Sequence, residues 1–521
     1  MTSWDVVIVG AGSAGCVLAS RLSEDPSRRV LLLEAGGPGG TLATRIPAAF
    51  RTLFRSPLDW ALETEPEPGM DGRRMFWPRG RMLGGCSAMN AMLWVRGQRE
   101  DYDGWARRGN RGWGWDDVLP AFRRAEDHRA AEGPHVGHGG PMRVDHQRDP
   151  SVLTRAWLEA ARACGLPPVD DLNAATAEGA GLLHVTQRRG ERESTATAYL
   201  RPARHRRNLM IRTGACVERV AFRGTRATGV VVRTGEGVLE TIPAGQVVLS
   251  AGAVHSPFLL LHSGVGPAGD LSGLGIPVIQ DLPGVGANLQ DHLVAGIGQR
   301  CTAPVTLAGA ERPWRLVQWL AARRGPLTST VAEGAAFLRS GADAATPDLE
   351  LIFAPSFFAD HGYANPPGHG YTLGVILLRP RSRGRISLRS ARAADPPRII
   401  ANYLADPDDL ARLVRGLEAC RAIAAAPALE RWRGPEILPG ASVTGFEGLA
   451  RHIRATGQTL YHPVGTCGMG PGPEAVVDPE LRVHGLEGLR VVDASVMPTI
   501  PSGHTNAPTI MIAERAAAMW S

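Results

Sequence analysis

The sequence predicts an α/β protein in which a Rossmann-like dinucleotide-binding domain carries an inserted α+β domain. Three observations favour this class: a strand, glycine turn and helix at the N-terminus, β-rich patterning in the middle of the chain, and a return to α/β patterning at its end.

The N-terminal unit begins with a β-branched run at residues 4–9. Glycine-rich residues 10–15 follow, and residues 16–22 show helical periodicity. A second apolar run, residues 30–33, ends in Glu34, which lies 19 residues after the last glycine of the turn. These elements together predict a βαβ unit.

Each polar or glycine position of this unit has a physical role. Gly10 permits a tight turn, Gly12 lets the backbone approach a pyrophosphate, and Gly15 allows close helix packing. Glu34 can accept hydrogen bonds from a ribose diol, which favours FAD or NAD over NADP. The predicted nucleotide contacts are Gly10, Gly12, Ser13, Ala14, Gly15, Glu34 and Ala35.

Changes in patterning divide the chain into three parts. Residues 1–295 form the nucleotide-binding domain, with parts of 40–200 as lid and substrate-side loops, 296–455 form the second domain, and 456–521 return to the first. The elements behind this division are strands at 208–212, 227–232, 246–250, 348–353, 371–378 and 489–493 and helices at 314–323, 408–425 and 507–519.

Composition excludes several functions. All 57 basic residues are arginine, so Schiff-base chemistry and lysine-dependent phosphate loops are ruled out. The net charge of +6 is scattered without a basic run, which indicates no nucleic-acid partner. The seven cysteines show no metal-binding spacing, so we expect no metal.

The predicted location of the chain is the cytoplasm. No apolar run is long enough to span a bilayer, and the first strand begins at residue 4, which leaves no room for a signal peptide. The oligomeric state stays open.

Four further segments lie at residues 80–90, 252–266, 282–292 and 461–509, the last carrying Tyr461-His462-Pro463-Val464-Gly465-Thr466 and Asn506-Ala507-Pro508-Thr509. Together with the N-terminus, they resemble the glucose–methanol–choline (GMC) oxidoreductases, FAD-dependent alcohol oxidases and dehydrogenases. The resemblance runs from residue 4 to about 519. It implies a GMC-type FAD domain with an inserted substrate-binding domain built on an antiparallel sheet.

The resemblance also implies further FAD contacts. Met89 stands where covalent-flavin relatives carry a histidine, so we expect non-covalent FAD. The implied contacts are Arg81, Gly84, Gly85, Ser87, Asn90, Met92, Val217, Asp493, Ala494, Asn506 and Thr509. For Asp493, a helix or turn cap is an alternative role.

The implied catalytic residues are His462 and Asn506, 44 residues apart. Alcohol oxidation needs a base with a pKa near neutrality and a partner that orients the oxygen. His504 rivals Asn506, because an alignment shifted by two residues would give a His–His pair. Implied substrate contacts are Tyr461, His504 and Glu333, the last loosely matching the acid that meets the ammonium group in choline-type enzymes.

The expected activity is oxidation of a primary alcohol to an aldehyde, with hydride passing to flavin N5. Choline-like, aryl or furan alcohols and amino-sugar hydroxyls all stay open, with molecular oxygen or another acceptor taking the electrons. The alternatives are a NAD-dependent dehydrogenase, a fatty-acid photodecarboxylase on the same scaffold, and a non-enzymatic FAD-binding protein.

Overall fold

The computed structural model describes residues 4–174, 178–234 and 237–520 of the chain. Its strands are β1 (Trp4–Val9), β2 (Val30–Leu33), β3 (Leu62–Glu63), β4 (Phe76–Trp77), β5 (Glu126–His128), β6 (Met142–Val144), β7 (Gly179–Leu182), β8 (Gln187–Arg188), β9 (Glu191–Arg192), β10 (Leu209–Arg212), β11 (Cys216–Arg223), β12 (Arg226–Arg233), β13 (Leu239–Leu249), β14 (Val265–Gly266), β15 (Gln280–Asp281), β16 (Leu293–Cys301), β17 (Gly334–Leu338), β18 (Leu349–Ala354), β19 (Gly370–Leu377), β20 (Arg385–Ser387), β21 (Arg398–Ile400), β22 (Arg433–Leu438), β23 (Gln458–Thr459) and β24 (Leu489–Val491).

The helices lie between these strands and at the C-terminus. They are α1 (Ser13–Leu22), α2 (Leu42–Arg45), α3 (Arg99–Arg107), α4 (Trp115–Ala125), α5 (Val152–Ala163), α6 (Arg201–Ala203), α7 (Gly252–His262), α8 (Ala268–Gly273), α9 (Pro313–Ala322), α10 (Pro407–Ala425), α11 (Gly445–Thr456) and α12 (Asn506–Ala518). Proline occupies the first turn of both α9 and α10, where its missing N–H costs nothing.

The nucleotide-binding sheet has a parallel half and an antiparallel half. Strands β10, β2, β1, β13 and β24 run parallel, and β1 is apolar and buried from Val6 to Val9, as is typical of strands in a parallel sheet. The N-terminal part of β13 pairs instead with β12, which pairs with β11, both antiparallel. The run 227–232, predicted as part of the α/β pattern, therefore belongs to an antiparallel layer.

Glycine lets α1 lie directly against β1. A Cβ atom at Gly15 would come within 1.9 Å of the carbonyl oxygen of Gly10, so only glycine fits there. Gly10 itself has φ of +97°, a conformation that L-residues with side chains avoid. The predicted helix at 16–22 starts earlier, at Ser13, because Gly12 serves as its N-cap.

The second domain is built on a six-stranded antiparallel sheet with the order β17-β18-β19-β16-β22, and β23 also pairs with β16. Helix α10 covers one face. The opposite face looks towards the nucleotide-binding domain. The sheet begins at Leu293 and takes in β23, a few residues beyond the predicted limits of 296–455.

Candidate active site

A cavity of about 1150 Å³ lies between the two domains. It extends from the turn between β1 and α1, past the loop after β4, to the C-terminal segment before α12. The second domain closes it with small and apolar residues of β16, β18 and β19. The lining of this one cavity therefore includes residues of the predicted nucleotide site and both predicted catalytic residues.

At one end of the cavity, Glu34 is held by the backbone. Its carboxylate accepts hydrogen bonds from the N–H groups of Ala11 and Gly36, at 2.9 and 2.8 Å. Burial raises the pKa of Glu34, and these two donors oppose the shift. The same region of the cavity is lined by six more of the predicted nucleotide contacts: Gly10, Gly12, Ser13, Ala14, Ala35 and Val217. Gly15 serves helix packing and does not line it.

The loop after β4 lies against the glycine turn. Gly84 and Gly85 have φ of +91° and +48°, and a Cβ atom at Gly85 would lie 2.7 Å from Gly12 Cα. The cavity lining includes Gly85 but neither Gly84 nor Ser87, whose hydroxyl pairs with Thr195 at 2.9 Å. Ser87 therefore supports the loop from behind. The predicted contacts of this loop that do line the cavity are Arg81, Gly85, Asn90 and Met92, and Met89 lines it as well.

At the other end, two histidines are hydrogen-bonded in series. His292 Nδ1 lies 3.0 Å from His462 Nδ1, and His292 Nε2 lies 3.1 Å from the carbonyl oxygen of Leu378. A carbonyl oxygen only accepts, so His292 Nε2 carries the proton. Burial, followed by His504, lowers the pKa of His292 to about 3, so its Nδ1 holds a lone pair. His462 Nδ1 must then be the donor, which leaves a lone pair on Nε2.

The position of His462 is set by its backbone as well. Its N–H donates to Asp291 Oδ1 at 2.8 Å, and Thr459 and Tyr403 donate their hydroxyls to Oδ2 of the same carboxylate. Burial lowers the pKa of His462 well below its ordinary value, and His504, His292 and Arg79 lower it further. His462 is thus neutral at physiological pH, and its pKa lies below the near-neutral value expected from the sequence. Within the described part of the chain, nothing hydrogen-bonds its Nε2.

His504 and Asn506 approach this base from the C-terminal segment. The rings of His504 and His462 are 5.1 Å apart, and His504 Nε2 lies 3.1 and 3.2 Å from the two carboxylate oxygens of buried Glu350. Asn506, the first residue of α12, accepts a hydrogen bond from the Ser13 hydroxyl at 2.8 Å. Its Oδ1 is therefore occupied, while Nδ2 can donate into the cavity that it lines.

The whole chain matches known proteins. The GMC oxidoreductase family models match residues 4–294 and 380–513. The chain belongs to the GMC oxidoreductase family. It is 43% identical to alcohol dehydrogenase (acceptor) from Pseudomonas putida, over 99% of this chain and 95% of that protein. It is 44% identical to mitochondrial choline dehydrogenase from Homo sapiens, over 99% and 89%.

A solved structure agrees with this assignment. Pyridoxine 4-oxidase from Mesorbium loti superposes with a TM-score of 0.92 at 35% identity, covering 99% of both chains. The predicted GMC fold, with its mixed nucleotide-binding sheet and antiparallel substrate-domain sheet, is confirmed. The chain is an FAD-dependent oxidoreductase that acts on alcohols, and the NAD-dependent alternative is wrong.

The residues present fit FAD. A GMC nucleotide site needs a glycine cradle, an acid for the ribose and close backbone approach, and Gly12, Glu34 and Gly85 supply them. The N-termini of α1 and α12 both face the cavity, where partial positive charge favours an anionic or electron-rich ligand.

Three predicted C-terminal contacts, Asp493, Ala494 and Thr509, line this GMC cavity. The carboxylate of Asp493 points elsewhere, however. It accepts from the N–H of Gly252 at 2.8 Å and from the hydroxyls of Ser256 and Ser495. Asp493 therefore joins α7 to the turn after β24, which is the capping role considered as its alternative.

Glu333 does not occupy the implied substrate position. Its carboxylate accepts hydrogen bonds from the N–H of Ser151 at 2.7 Å and from the hydroxyls of Thr154 and Ser329 at 2.6 and 2.7 Å. The side chain of Glu333 is buried, and the cavity lining includes its neighbour Ala332 but not Glu333. Because three donors hold Glu333 inside the substrate domain, the expectation that it meets a substrate ammonium is corrected.

Tyr461, predicted as a substrate contact, lines the cavity within an aromatic wall. Its hydroxyl lies 2.7 Å from His361 Nδ1, and its ring is 5.6 Å from that of Phe54. Phe50 and Phe358 continue the wall. The sequence analysis missed these aromatic residues, because isolated phenylalanines are indistinguishable from ordinary core residues in a sequence.

His292 and Glu350 were also missed. His292 ends the third GMC-like segment, so a signal was present in the motif, but its partners are 86 and 170 residues away. Glu350 lies in an apolar strand pattern, where a charged residue is the unusual feature. A charged residue is rarely buried unless it is paired. The position of Glu350 in the apolar strand β18 was therefore a sign that it has a buried partner.

A separate cluster lies outside the cavity. His128, Asp171 and His184 bring three possible ligand atoms within 4.8 Å of one another. The N–H groups of Ala130 and Ala131 donate to His128 Nδ1, so its proton is on Nε2 and neither nitrogen offers a free lone pair. We assign no metal to this cluster.

Among the described residues, no helix has both the length and the apolar character needed to cross a bilayer. The cytoplasmic location stays a prediction.

Proposed function

We propose that this protein oxidises a primary alcohol to an aldehyde, with His462 as the base that takes the hydroxyl proton. The observation that carries the proposal is the hydrogen-bond series from Leu378 through His292 to His462. The series keeps the His462 proton on Nδ1 and leaves a lone pair on Nε2. A neutral imidazole with an unoccupied nitrogen in a cavity is what proton removal from an alcohol requires.

In this proposal, two side chains hold the alcohol oxygen beside His462. Asn506 can donate from Nδ2, because Ser13 occupies its Oδ1. His504, held by Glu350, lies beside the base, with the two rings 5.1 Å apart. The Nδ2 group of Asn506 is a fixed donor that stabilises negative charge developing on the oxygen. We therefore assign orientation of the hydroxyl to Asn506 and His504 together.

FAD bound in the cavity supplies the acceptor for the hydride that leaves the alcohol carbon. We propose that it is held without a covalent bond, since the side chain at position 89 is methionine. Acid precipitation should leave the yellow cofactor in the supernatant. A yellow pellet would contradict non-covalent binding.

The aromatic wall of the cavity favours an uncharged, apolar or aryl alcohol. Phe50, Phe54, Phe358 and Tyr461 offer ring faces and edges for stacking. Glu333 is unable to neutralise a substrate ammonium, because its carboxylate is engaged by three donors. Arg79 also lies in the lining, and its positive charge disfavours a cationic substrate.

An anaerobic alcohol panel tests the proposal. Purified protein with bound FAD would be mixed in the dark with benzyl alcohol, furfuryl alcohol, an amino sugar and choline, and flavin bleaching would be recorded. We expect bleaching with the aryl and furan alcohols and little with choline. Bleaching by choline alone would overturn the substrate assignment, and bleaching by no alcohol would overturn the proposed function.

Two further arms address the electron acceptor and the photodecarboxylase alternative. Reoxidation after admitting air, compared with reoxidation by an artificial acceptor, separates oxidase from dehydrogenase activity. Illumination with a fatty acid should release no carbon dioxide, because His462 and Asn506 equip the site for alcohol chemistry. Light-dependent release would favour the photodecarboxylase alternative.

A further inference from the structure

One helix of the substrate domain presents an apolar face to solvent. In α9, Trp314, Val317 and Leu320 are 50%, 64% and 50% exposed. Their spacing of three residues places them on one side of the helix, together with the exposed Ala321. The opposite side is anchored by Trp319, which is fully buried and donates to the carbonyl oxygen of Gly190 at 2.9 Å. The exposed face is therefore held rigidly in place.

Arginines surround this face. Arg315 stacks on the Trp314 ring at 3.7 Å and donates to Gln318, without a carboxylate partner among the described residues. Arg312 at the helix N-terminus has no such partner in the described chain either. At the other end, Arg323 and Arg324 pair with Glu191 and Asp149 at 3.1 and 3.0 Å. Positive charge thus borders exposed tryptophan, valine and leucine.

The helix also lies close to the active-site wall. Trp319 packs with Ile46 and Leu327, and this cluster includes Ala48 and Ala49 of the short helical segment Pro47–Leu53. Phe50 of the same segment lines the GMC cavity. A surface that binds through α9 would therefore lie one layer of side chains from the cavity.

We propose that the outer face of α9 docks this protein on the surface of a bilayer containing anionic phospholipids. A helix with tryptophan and aliphatic side chains on one face and arginines at its edges inserts at the boundary between headgroups and acyl chains. The arginines then meet lipid phosphates, and the exposed apolar side chains leave water. The contact is peripheral and uses no membrane-spanning element.

Charge favours the bilayer over a second copy of the chain. In a two-fold dimer, the same patch contacts itself. Arg312 and Arg315 would then meet the same residues of the other copy, with Glu311 as the neighbouring exposed acid, so each copy would bring an excess of positive charge to the contact. An anionic surface neutralises the same residues. The excess of positive charge beside the exposed apolar side chains of α9 therefore favours the membrane over a second copy.

Vesicle co-sedimentation of the FAD-loaded protein tests this proposal. We expect binding to equimolar phosphatidylglycerol–phosphatidylcholine vesicles at low salt, weak binding to pure phosphatidylcholine, and release at high salt as screening increases. The triple variant Trp314→Ser, Val317→Ser, Leu320→Ser should lower the partition coefficient by about tenfold or more. Arg312→Gln and Arg315→Gln should each lower it by about fivefold.

The control is Val152→Ser with Met210→Ser, two side chains that are 51% and 52% exposed on other elements. This variant should bind vesicles like the wild type. Flavin content and thermal unfolding temperature, measured for each variant, identify any loss of fold. Equal binding by the triple variant, or no binding at low salt, would overturn the proposal. A dimer in light scattering that the triple variant abolishes would assign the face to self-association instead and also overturn it.

Discussion

Replacing His292 by asparagine should slow flavin reduction without preventing FAD binding. The histidine ring spans from Leu378 O to His462 Nδ1, with hydrogen bonds of 3.1 and 3.0 Å at its two nitrogens. The shorter asparagine side chain cannot make both contacts. His462 Nδ1 then loses its acceptor, and the tautomer with the proton on Nε2, which cannot act as a base, gains population.

The size of the effect follows from the hydrogen bond that is lost. Leaving a buried donor unsatisfied costs about 1–3 kcal/mol, which corresponds to about 5- to 150-fold in rate. This is smaller than the loss expected for His462→Ala, about 10²–10⁴-fold, because the base itself is retained. His292 is thus a positioning residue.

Anaerobic stopped-flow mixing with alcohol measures this step directly. The limiting rate of flavin reduction should fall in the His292→Asn variant, while the apparent affinity for alcohol changes little. His262→Asn is the control, because His262 is buried in α7 outside the cavity. A limiting rate within twofold of the wild type, with FAD content retained, would refute the tautomer argument.

Three other predictions test separate parts of the structure. Glu350→Gln keeps an acceptor for His504 but removes the charge, so flavin reduction should slow by about 5- to 30-fold. The control is Glu333→Gln, which lies outside the cavity and should leave the rate unchanged. Equal effects of the two substitutions would contradict the placement of Glu350 at the site and of Glu333 outside it. Gly85→Ala would place a Cβ 2.7 Å from Gly12 Cα and should weaken FAD binding by about tenfold or more in fluorescence titration, whereas Gly72→Ala, with φ of +73° and nothing within 4 Å, should not. Burial lowers the pKa of His128 to about 3. The unfolded chain therefore takes up the proton first as pH falls below about 6.5, and the free energy of unfolding of the wild type decreases from there. His128→Asn removes this pH dependence. In denaturant titrations, the difference in unfolding free energy between variant and wild type should therefore shift in favour of the variant by about 2–3 kcal/mol between pH 7 and 4.5. A difference that stays constant over this range would exclude the linkage to His128.

Local patterning predicted the elements well, and the reason is visible in α9 and α10. Their apolar periodicity and first-turn prolines are local signals, and the helices start one residue before the predicted 314 and 408. Strand partners are set by non-local pairing, which local patterning does not encode. For this reason the run 227–232 was recognised as a strand, whereas its antiparallel pairing with β11 and β13 was not predicted.

The site shows the same limit. His462 and Asn506 could be named because each lies in a short motif. The role of His292 depends on Leu378, and that of Glu350 depends on His504, 154 residues away. Glu333 was misplaced for the converse reason, since nothing near it in the sequence announces that Ser151 and Thr154 will hold its carboxylate.

The most direct test of the account is anaerobic reduction of the bound flavin by an alcohol in His462→Ala. The account predicts normal FAD binding and a reduction rate lower by about 10²–10⁴-fold than that of the wild type, because the only neutral nitrogen assigned to accept the hydroxyl proton is removed. A reduction rate close to the wild-type value would contradict His462 as the base.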